Sequence, residues 1–323
     1  MKNHLKAWDG LFIQYRPFLV SFAFRIMGSL SEAEDLVQET FLECARFAPS
    51  EINNHKAWLT KVCSNKSLDH LKSAYKKREL YPGNWLPDQV PERLQVWHHL
   101  ANEDLPENKV MQSEGLTTSF LLMAERLTPE ERVVYLLKEA FGYPYKEIGE
   151  FLGKNEAACR KTAQRAREAL DSGKKFGDPP RGAEKLIAEF FALAKQGDAK
   201  KLAQMLASGS KLWGDGGGKV AAAGFIQGAD RIARYFIMLA GLPEFNSDGY
   251  KVEFHRVNSR PGMVISRQLP SGLWAFDTVT SFEFENDKIT RIYGQRNPEK
   301  LDALRLGFRS WITSLSVPLG FSP

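Results

Sequence analysis

Between residues 5 and 80, apolar positions recur every three or four residues, and the chain reads there as almost continuous helix. Phe12, Tyr15, Phe18, Leu19, Phe22 and Ile26 share one face, and Gly28 ends the run. Ser31-Glu-Ala-Glu34 reads as a capping box that opens a second helix. That helix has two faces, with Ala33, Val37, Thr40, Phe41 and Cys44 on one and Glu32, Asp35, Glu39 and Glu43 on the other. Four carboxylates on one stripe repel one another unless water or a basic partner faces them. A third helix spans 56–79. Asn65, Asp69, Lys72 and Lys76 lie along one face beside Leu68, Leu71 and Tyr75, and Lys76, Lys77 and Arg78 cluster where the helix dipole favours cations.

The pattern repeats from Thr128 with shorter elements. Thr128, Pro129 and Glu131 form a capping box with proline at the first helical position, and Val133, Val134, Leu136 and Leu137 supply a buried face. A helix from Tyr145 to Leu152 stops at Gly153, and Asn155 can cap the next one. Two helices joined by a tight glycine-containing turn make a helix-turn-helix. On the last helix Cys159, Thr162, Ala163, Ala166 and Leu170 can pack inward. Lys161, Gln164 and Arg165 lie opposite them, with Arg160 and Arg167 towards the edge. Lys, Gln and Arg presented this way can reach base edges or phosphates in a major groove; a solvated basic helix is the plainer alternative.

Between these helical blocks, Tyr81 to Pro91 carries three prolines, which bar regular helix, and residues 103–114 are acidic and polar. A second break, Lys174 to Pro180, precedes a change of character. Helices at 183–195, 199–206 and 228–240 are interrupted by a Gly-rich turn, Trp213 to Lys219. Alternating runs follow at 251–257, 263–267, 273–285 and 289–293. Helices followed by a meander of strands predict an α+β domain with a curved antiparallel sheet. Beyond it Leu301, Leu304, Phe308, Trp311 and Leu315 form an apolar stripe that must bury somewhere.

Composition narrows the classes rather than choosing among them. The 323 residues allow two or three domains, and 43% apolar content is ample for packed cores. A net charge of +5 permits a nucleic-acid partner without requiring one, so local clusters matter more. Cys44, Cys63 and Cys159 are scattered, which argues against a structural metal site or a disulfide framework and fits a reducing cytoplasm. No apolar run approaches the roughly 20 residues needed to cross a bilayer. The expectation is a cytoplasmic protein without cofactor, metal or membrane contact.

Two motif sets resemble a known family. Glu32-Ala-Glu-Asp-Leu-Val-Gln-Glu39, Ala57-Trp-Leu and Asn65-x-x-x-Asp69-x-x-Lys72 are similar to domain two of bacterial sigma factors of the extracytoplasmic-function class. Leu127-Thr-Pro-Glu-Glu-Arg132, Glu147 to Gly153 and Arg165-Ala-Arg167 are similar to their domain four. The resemblance implies all-α sigma domains two and four. Asp35, Gln38 and Glu39 would bind the clamp helices of the RNA polymerase large subunit, with the flap region as a further contact. It implies that Asn65, Asp69, Lys72, Lys76, Lys77 and Arg78 engage the opened minus-ten strand of promoter DNA, and that Arg160, Lys161, Gln164, Arg165 and Arg167 engage the minus-thirty-five duplex. Asn155-Glu-Ala-Ala-Cys159 departs from the commoner Ser-x-Gly-Thr-Val opening, so promoter sequence does not carry over.

The last third resembles the SnoaL-like, NTF2-type cone fold. Trp85-Leu86-Pro87, Asp215-Gly216-Gly217-Gly218-Lys219 and Asn297-Pro298-Glu299-Lys300-Leu301 resemble motifs of sigma factors that carry such a fused domain. This subgroup is thought to be regulated by its own extension. The implied organisation is domain two at 1–80, a linker at 81–115, domain four at 116–173, a linker at 174–182, the α+β domain at 183–301 and an amphipathic tail at 302–323. Asp215, His255, Asp277 and Tyr293 are the candidate bases if the cone fold catalyses, and an unknown small ligand is a candidate partner. The simpler readings are sheet packing for His255 and Tyr293, and a left-handed backbone for Asp-Gly-Gly-Gly. The competing functions are a ligand-responsive helix-turn-helix regulator acting alone, and a cone-fold isomerase or cyclase with a DNA-binding appendage.

Overall fold

The computed structural model describes residues 2–92, 117–171 and 179–304. These fall into two compact units: residues 2–80 with 117–171, and residues 81–92 with 179–304.

The first unit is all helical. Helices α1 (Lys2–Met27), α2 (Leu30–Cys44) and α3 (His55–Glu79) pack together. Gly28, at a φ of 69°, ends α1 as anticipated. The second helix does not open on the Ser31 capping box. It begins at Leu30, with Ser29 in the cap position and no side-chain cap bond. The physical reason is burial: Leu30 is 5% exposed and draws the helix start back into the core. Helix α4 (Thr118–Ala124), α5 (Pro129–Tyr135), α6 (Tyr145–Leu152) and α7 (Glu156–Asp171) complete the unit. The Thr128–Glu131 capping box forms in both directions, and the Ala158 amide donates to Asn155 Oδ1 at 2.8 Å. A wide π turn, Leu136–Ala140, follows α5 and throws Phe141 back onto Phe18 and Phe22 of α1, edge-on at 5.6 and 5.1 Å.

The second unit is α+β. Helices α8 (Ala183–Gln196) and α9 (Ala199–Gln204) lead into strand β1 (Leu206–Asp215), and β2 (Phe225–Gln227) precedes α10 (Ala229–Ala240). Strands β3 (Tyr250–Val257), β4 (Arg260–Gln268), β5 (Trp274–Glu285) and β6 (Lys288–Gln295) then form the meander. A last helix, α11, runs over 298–304. The sheet order is β2-β1-β6-β5-β4-β3. Helices lie against one face, where Ile187, Phe190, Ile232 and Phe236 meet Met263, Ile265, Phe282 and Ile292. This is the α+β arrangement that the strand pattern implies and the cone type that the resemblance implies.

Two details differ from the sequence reading. The expected helix at 199–206 ends at Gln204, and the residues up to Asp215 are a strand, not the approach to a turn. Ala207, Ser208, Gly209 and Ser210 are small and largely polar, so this stretch lacks the β-branched alternation that marks a strand. The sheet is also not purely antiparallel, because β1 pairs with β6 in parallel, Leu212 opposite Ile292 and Asp215 opposite Gln295. Between them the chain passes through β2, α10 and strands β3 to β5, so the last strand returns beside the first.

The turn of the helix-turn-helix depends on one close approach. A Cβ on Gly149 would lie 2.5 Å from the Lys154 carbonyl oxygen, on backbone that cannot swing away. Gly149→Ala should therefore destabilise the first unit by about 1–3 kcal/mol, the range for overpacking. Urea unfolding followed by circular dichroism checks this.

Candidate functional site

The nucleic-acid candidates divide between two helices. On α7 the inward set Cys159, Thr162, Ala163, Ala166 and Leu170 is buried, which turns Lys161, Gln164 and Arg165 outward. Their charges are balanced locally. Arg160 pairs with Glu156 at 2.7 Å, Arg165 with Glu131 at 3.2 Å, and Arg167 with Glu139 at 2.5 Å. Gln164 donates to Glu168 at 2.9 Å. Lys161 stands exposed at the centre of this face. Because these ion pairs are solvent-facing, each is weak enough to be exchanged for a phosphate.

On α3 the picture is different. Asp69 and Lys72 pair in the open at 2.9 Å, and Lys76 and Lys77 are exposed. Asn65, however, donates through Nδ2 to the Phe151 carbonyl of α6 at 2.8 Å, and the Tyr75 hydroxyl donates to the Leu127 carbonyl at 2.7 Å. Burial holds the Tyr75 phenol above its ordinary range. Thr60 meets the Tyr143 hydroxyl at 3.2 Å. Arg78 is drawn inward onto the Glu125 carboxylate and the Met27 carbonyl, and Glu125 takes Arg132 on its other oxygen. Arg132 is fully buried and Arg78 nearly so. Trp58 is half-buried, edge-on to Phe47 at 5.5 Å. Thus the helix bearing the strand-binding candidates is bonded to α6 and to the residues that link α4 to α5 and α5 to α6.

On α2 the outward face is uneven. Glu32 reaches Arg78 at 3.4 Å and Glu43 pairs with Arg46 at 2.9 Å. Asp35 and Gln38 are exposed, and Glu39 is held below the usual carboxylate range by its hydrogen bond to His70, with Lys66 adding to it. Leu42, 62% exposed, completes the stripe at i, i+3, i+4 and i+7. Sequence reading passed over this leucine, because an apolar residue on a helix ordinarily belongs to the core.

In the second unit the three short motifs converge. The segment from Tyr81 to Pro91 is a strap laid across the sheet. Asp215, at the end of β1 and wholly buried, accepts from four donors: the Tyr81 hydroxyl at 2.6 Å, the Leu86 amide at 3.2 Å, the Gly217 amide at 3.0 Å and Lys300 Nζ at 2.8 Å. A carboxylate offers about four acceptor sites, so this one is saturated. Lys300 sits over the rings of Trp85 and Tyr81, at 4.7 and 5.3 Å from their centroids, and also donates to the Leu86 carbonyl. Asn297 donates to the Tyr81 hydroxyl at 2.7 Å, and burial next to Asp215 drives that phenol's pKa up.

The same site accounts for the other motif residues. Leu86 and Pro87 are buried, as is Leu301. The Asn297 side chain caps this helix start, its Oδ1 accepting from the Glu299 amide at 3.0 Å, and Glu299 pairs with Lys219. Pro298 opens α11. Gly216, Gly217 and Gly218 turn the chain beneath the strap. A Cβ on Gly218, where φ is 70°, would lie 2.7 Å from the Pro82 ring, so a side chain there would lift the strap.

Further along, Gln89 is held twice: its amide donates to Gln295 at 2.6 Å and its side-chain carbonyl accepts from Ser281 at 2.6 Å. Asn258, in the β3–β4 turn at a φ of 48°, accepts from the Val90 amide and donates to the Asp88 carbonyl, at 3.1 and 2.9 Å. Tyr81, Gln89, Asn258, Ser281 and Gln295 were missed from sequence. Asn258 falls between two expected strand runs, where nothing local marks it as a clasp. Residues 93–115 of the expected linker and 305–323 of the expected tail lie outside the described residues. Leu301 and Leu304, the start of the apolar stripe, are buried.

The candidate bases have separate commitments. Asp215 is taken up by the strap, and Asp277 pairs with Arg296 at 3.3 Å. Tyr293 is buried and stacked on Trp213 at 5.2 Å, while half-buried His255 on β3 lies 3.5 Å from Glu253. Among the described residues no cluster of three His, Cys, Asp or Glu could hold a metal, and no helix is long and apolar enough to cross a membrane. The three cysteines are free and buried.

Comparison with known proteins agrees with the geometry. The Sigma-70 region 2 family matches residues 11–77 and the Sigma-70, region 4 family matches residues 118–170. The ECF RNA polymerase sigma factor SigJ of Mycobacterium tuberculosis is 34% identical over 69% of this chain and 70% of its own length. The probable ECF RNA polymerase sigma factor SigI of the same organism is 29% identical over 90% of this chain and 93% of its own. The crystal structure of M. tuberculosis SigJ superposes with a TM-score of 0.67 and 26% identity, covering 91% of this chain and 98% of that one.

The strap should fail when its carboxylate is removed. Asp215→Asn removes the nearer carboxylate from Lys300, leaving it only Asp88 at 3.9 Å, a loss of about 3 kcal/mol, whereas Tyr81→Phe removes one hydroxyl and should cost about 1–3 kcal/mol. Limited proteolysis within 81–92 should accelerate strongly in the first variant and modestly in the second.

Proposed function

The chain belongs to the extracytoplasmic-function family of RNA polymerase sigma factors, subunits that direct transcription initiation, and from that premise we propose that the arrangement described above is its closed, promoter-incompetent form. The observation that carries the reading is the engagement of α3. Asn65, Tyr75 and Arg78 are bonded to Phe151, Leu127 and Glu125, so the helix proposed to hold the opened minus-ten strand is occupied by the module proposed to read the minus-thirty-five duplex. Two modules that must grip separate promoter elements cannot do so while one is the other's ligand. Opening is the step that core polymerase favours, by binding the open form better.

The polymerase contact is the exposed stripe Asp35, Gln38, Glu39 and Leu42 on α2. A leucine left in water between carboxylates suits a protein surface with a basic rim and an apolar centre, such as the clamp helices of the large subunit. On α7, Lys161 and Gln164 read bases, while Arg160, Arg165 and Arg167 exchange their intramolecular carboxylates for phosphates. Control in cis falls to the second unit. Only Leu80 separates Glu79, the last residue of α3, from Tyr81, where the strap begins. The chain therefore passes from the proposed melting helix into the strap with a single residue between them. The protein performs no chemistry of its own in this reading.

Asp35→Lys combined with Glu39→Lys should abolish capture by core polymerase in a pulldown while leaving duplex binding intact; retained capture would sink the assignment of α2. Tyr75→Phe removes one hydrogen bond of the closure, about 1 kcal/mol, and should raise run-off transcription roughly fivefold. An unchanged yield, with an unchanged distance between dyes on α2 and α7, would contradict the closed form.

A further inference from the structure

The sheet of the second unit carries different work on its two faces. On β1, β5 and β6 the strap is held by Asp215, Ser281 and Gln295. The residues next to these, Gly214, Thr280, Gly294 and Arg296, line a pocket instead. Alternation along a strand puts successive residues on opposite faces, so the same three strands present the strap's anchors on one side and the pocket's wall on the other. The backbone link is direct: the Arg296 and Asn297 amides both donate to the Asp215 carbonyl, at 2.7 and 3.0 Å.

The pocket holds about 50 Å³ of free space. One water needs about 10–15 Å³ by this measure, so there is room for a single ring and not for a polycycle. Phe236, Met263 and Ile265 make the interior apolar, while Tyr235, Thr280 and Arg296 supply the polar groups. Arg296 donates to the Ala221 carbonyl at 2.9 Å and pairs with Asp277 at 3.3 Å, while its Nε is buried without a hydrogen-bond partner. A carboxylate entering here would meet Asp277 on the same guanidinium. A neutral oxygen would not, and could bond to the guanidinium, the tyrosine hydroxyl or the Thr280 hydroxyl.

We propose that this pocket binds a small uncharged single-ring molecule bearing one oxygen, and that its occupancy is transmitted to the strap through β1, β5 and β6. Filling the pocket supplies contacts to one face of strands that are otherwise in contact with void, which stiffens them. The strap on the other face then opens less often. The consequence for transcription rests on the proposed control in cis; the binding and its transmission do not.

Phenol is the probe, with benzoate and benzene as comparators, on the full chain without polymerase. Saturable calorimetric binding of phenol is expected, with benzoate at least about tenfold weaker. In Thr280→Val, a substitution of similar size, the preference for phenol over benzene should fall. Phenol should slow hydrogen exchange of the Leu86 and Gln89 amides several-fold. Because coupling is reciprocal, Tyr81→Phe should weaken phenol by a comparable factor. Absence of saturable phenol binding, or benzoate binding as well as phenol, would overturn the site. Phenol binding with unaltered Leu86 and Gln89 exchange would overturn the transmission. Neither readout involves polymerase, so failure here is distinct from failure of the closed form.

Discussion

Glu125 is the point through which the first unit is held in one arrangement. Its two oxygens take guanidinium groups from different modules, Arg78 from the end of α3 and Arg132 from α5. Arg132 is wholly buried and keeps its pair with Glu125 inside one module, so the pair that breaks when α3 leaves is Arg78 with Glu125. The neighbouring Arg25 shows the same economy. It is completely buried, bonded to Ser21 and set over the Phe141 ring, and desolvation lowers its pKa to about 10. Such an interface is dissociable in the way a purely apolar one is not: once opened, its charged members are well solvated, and a partner that offers phosphates or carboxylates can take them over.

The second unit uses a buried carboxylate to a different end. Asp215 collects two donors from the strap, one from its own turn and one from α11, and a segment with three prolines is thereby made part of a sheet domain. Proline suits this because the strap pairs with no long strand; its single bridge is Pro91 to Val257, and side chains satisfy most of the remaining backbone groups. Each polar group of the buried strap needs its partner. Gln89, Asn258 and Gln295 are therefore structural necessities of the strap, although none of them belongs to a motif.

Local signals carried much of this into the sequence. The Thr128 capping box, the Gly153 stop and the Asn155 cap were legible because each acts within four residues, and the inward face of α7 followed from periodicity alone. Strands β3 to β6 were legible from alternation. What was not legible has a common cause, distance along the chain. Strand β1 is specified by its partner β6, some 80 residues on, more than by its own Ala-Ser-Gly-Ser composition. Leu30 moved a helix start through burial that only the packed core reveals. The motif residues were recognisable as a set, but their convergence on one carboxylate was not, since Tyr81, Asp215 and Lys300 are joined only in space.

That difference bears on how the two units divide their labour. The residues proposed to touch DNA and polymerase stand on helices with strong local signals, and such elements keep their shape whether the modules are closed or apart. The contacts proposed to hold a closed form, Asn65 to Phe151, Tyr75 to Leu127 and Arg78 to Glu125, are all non-local and mostly single hydrogen bonds or ion pairs. Each is worth little by itself, and together they set an equilibrium that a modest differential affinity can reverse. In the proposed closed form, control of initiation is therefore a competition for α3, whose rivals are the helix-turn-helix module and the opened promoter strand.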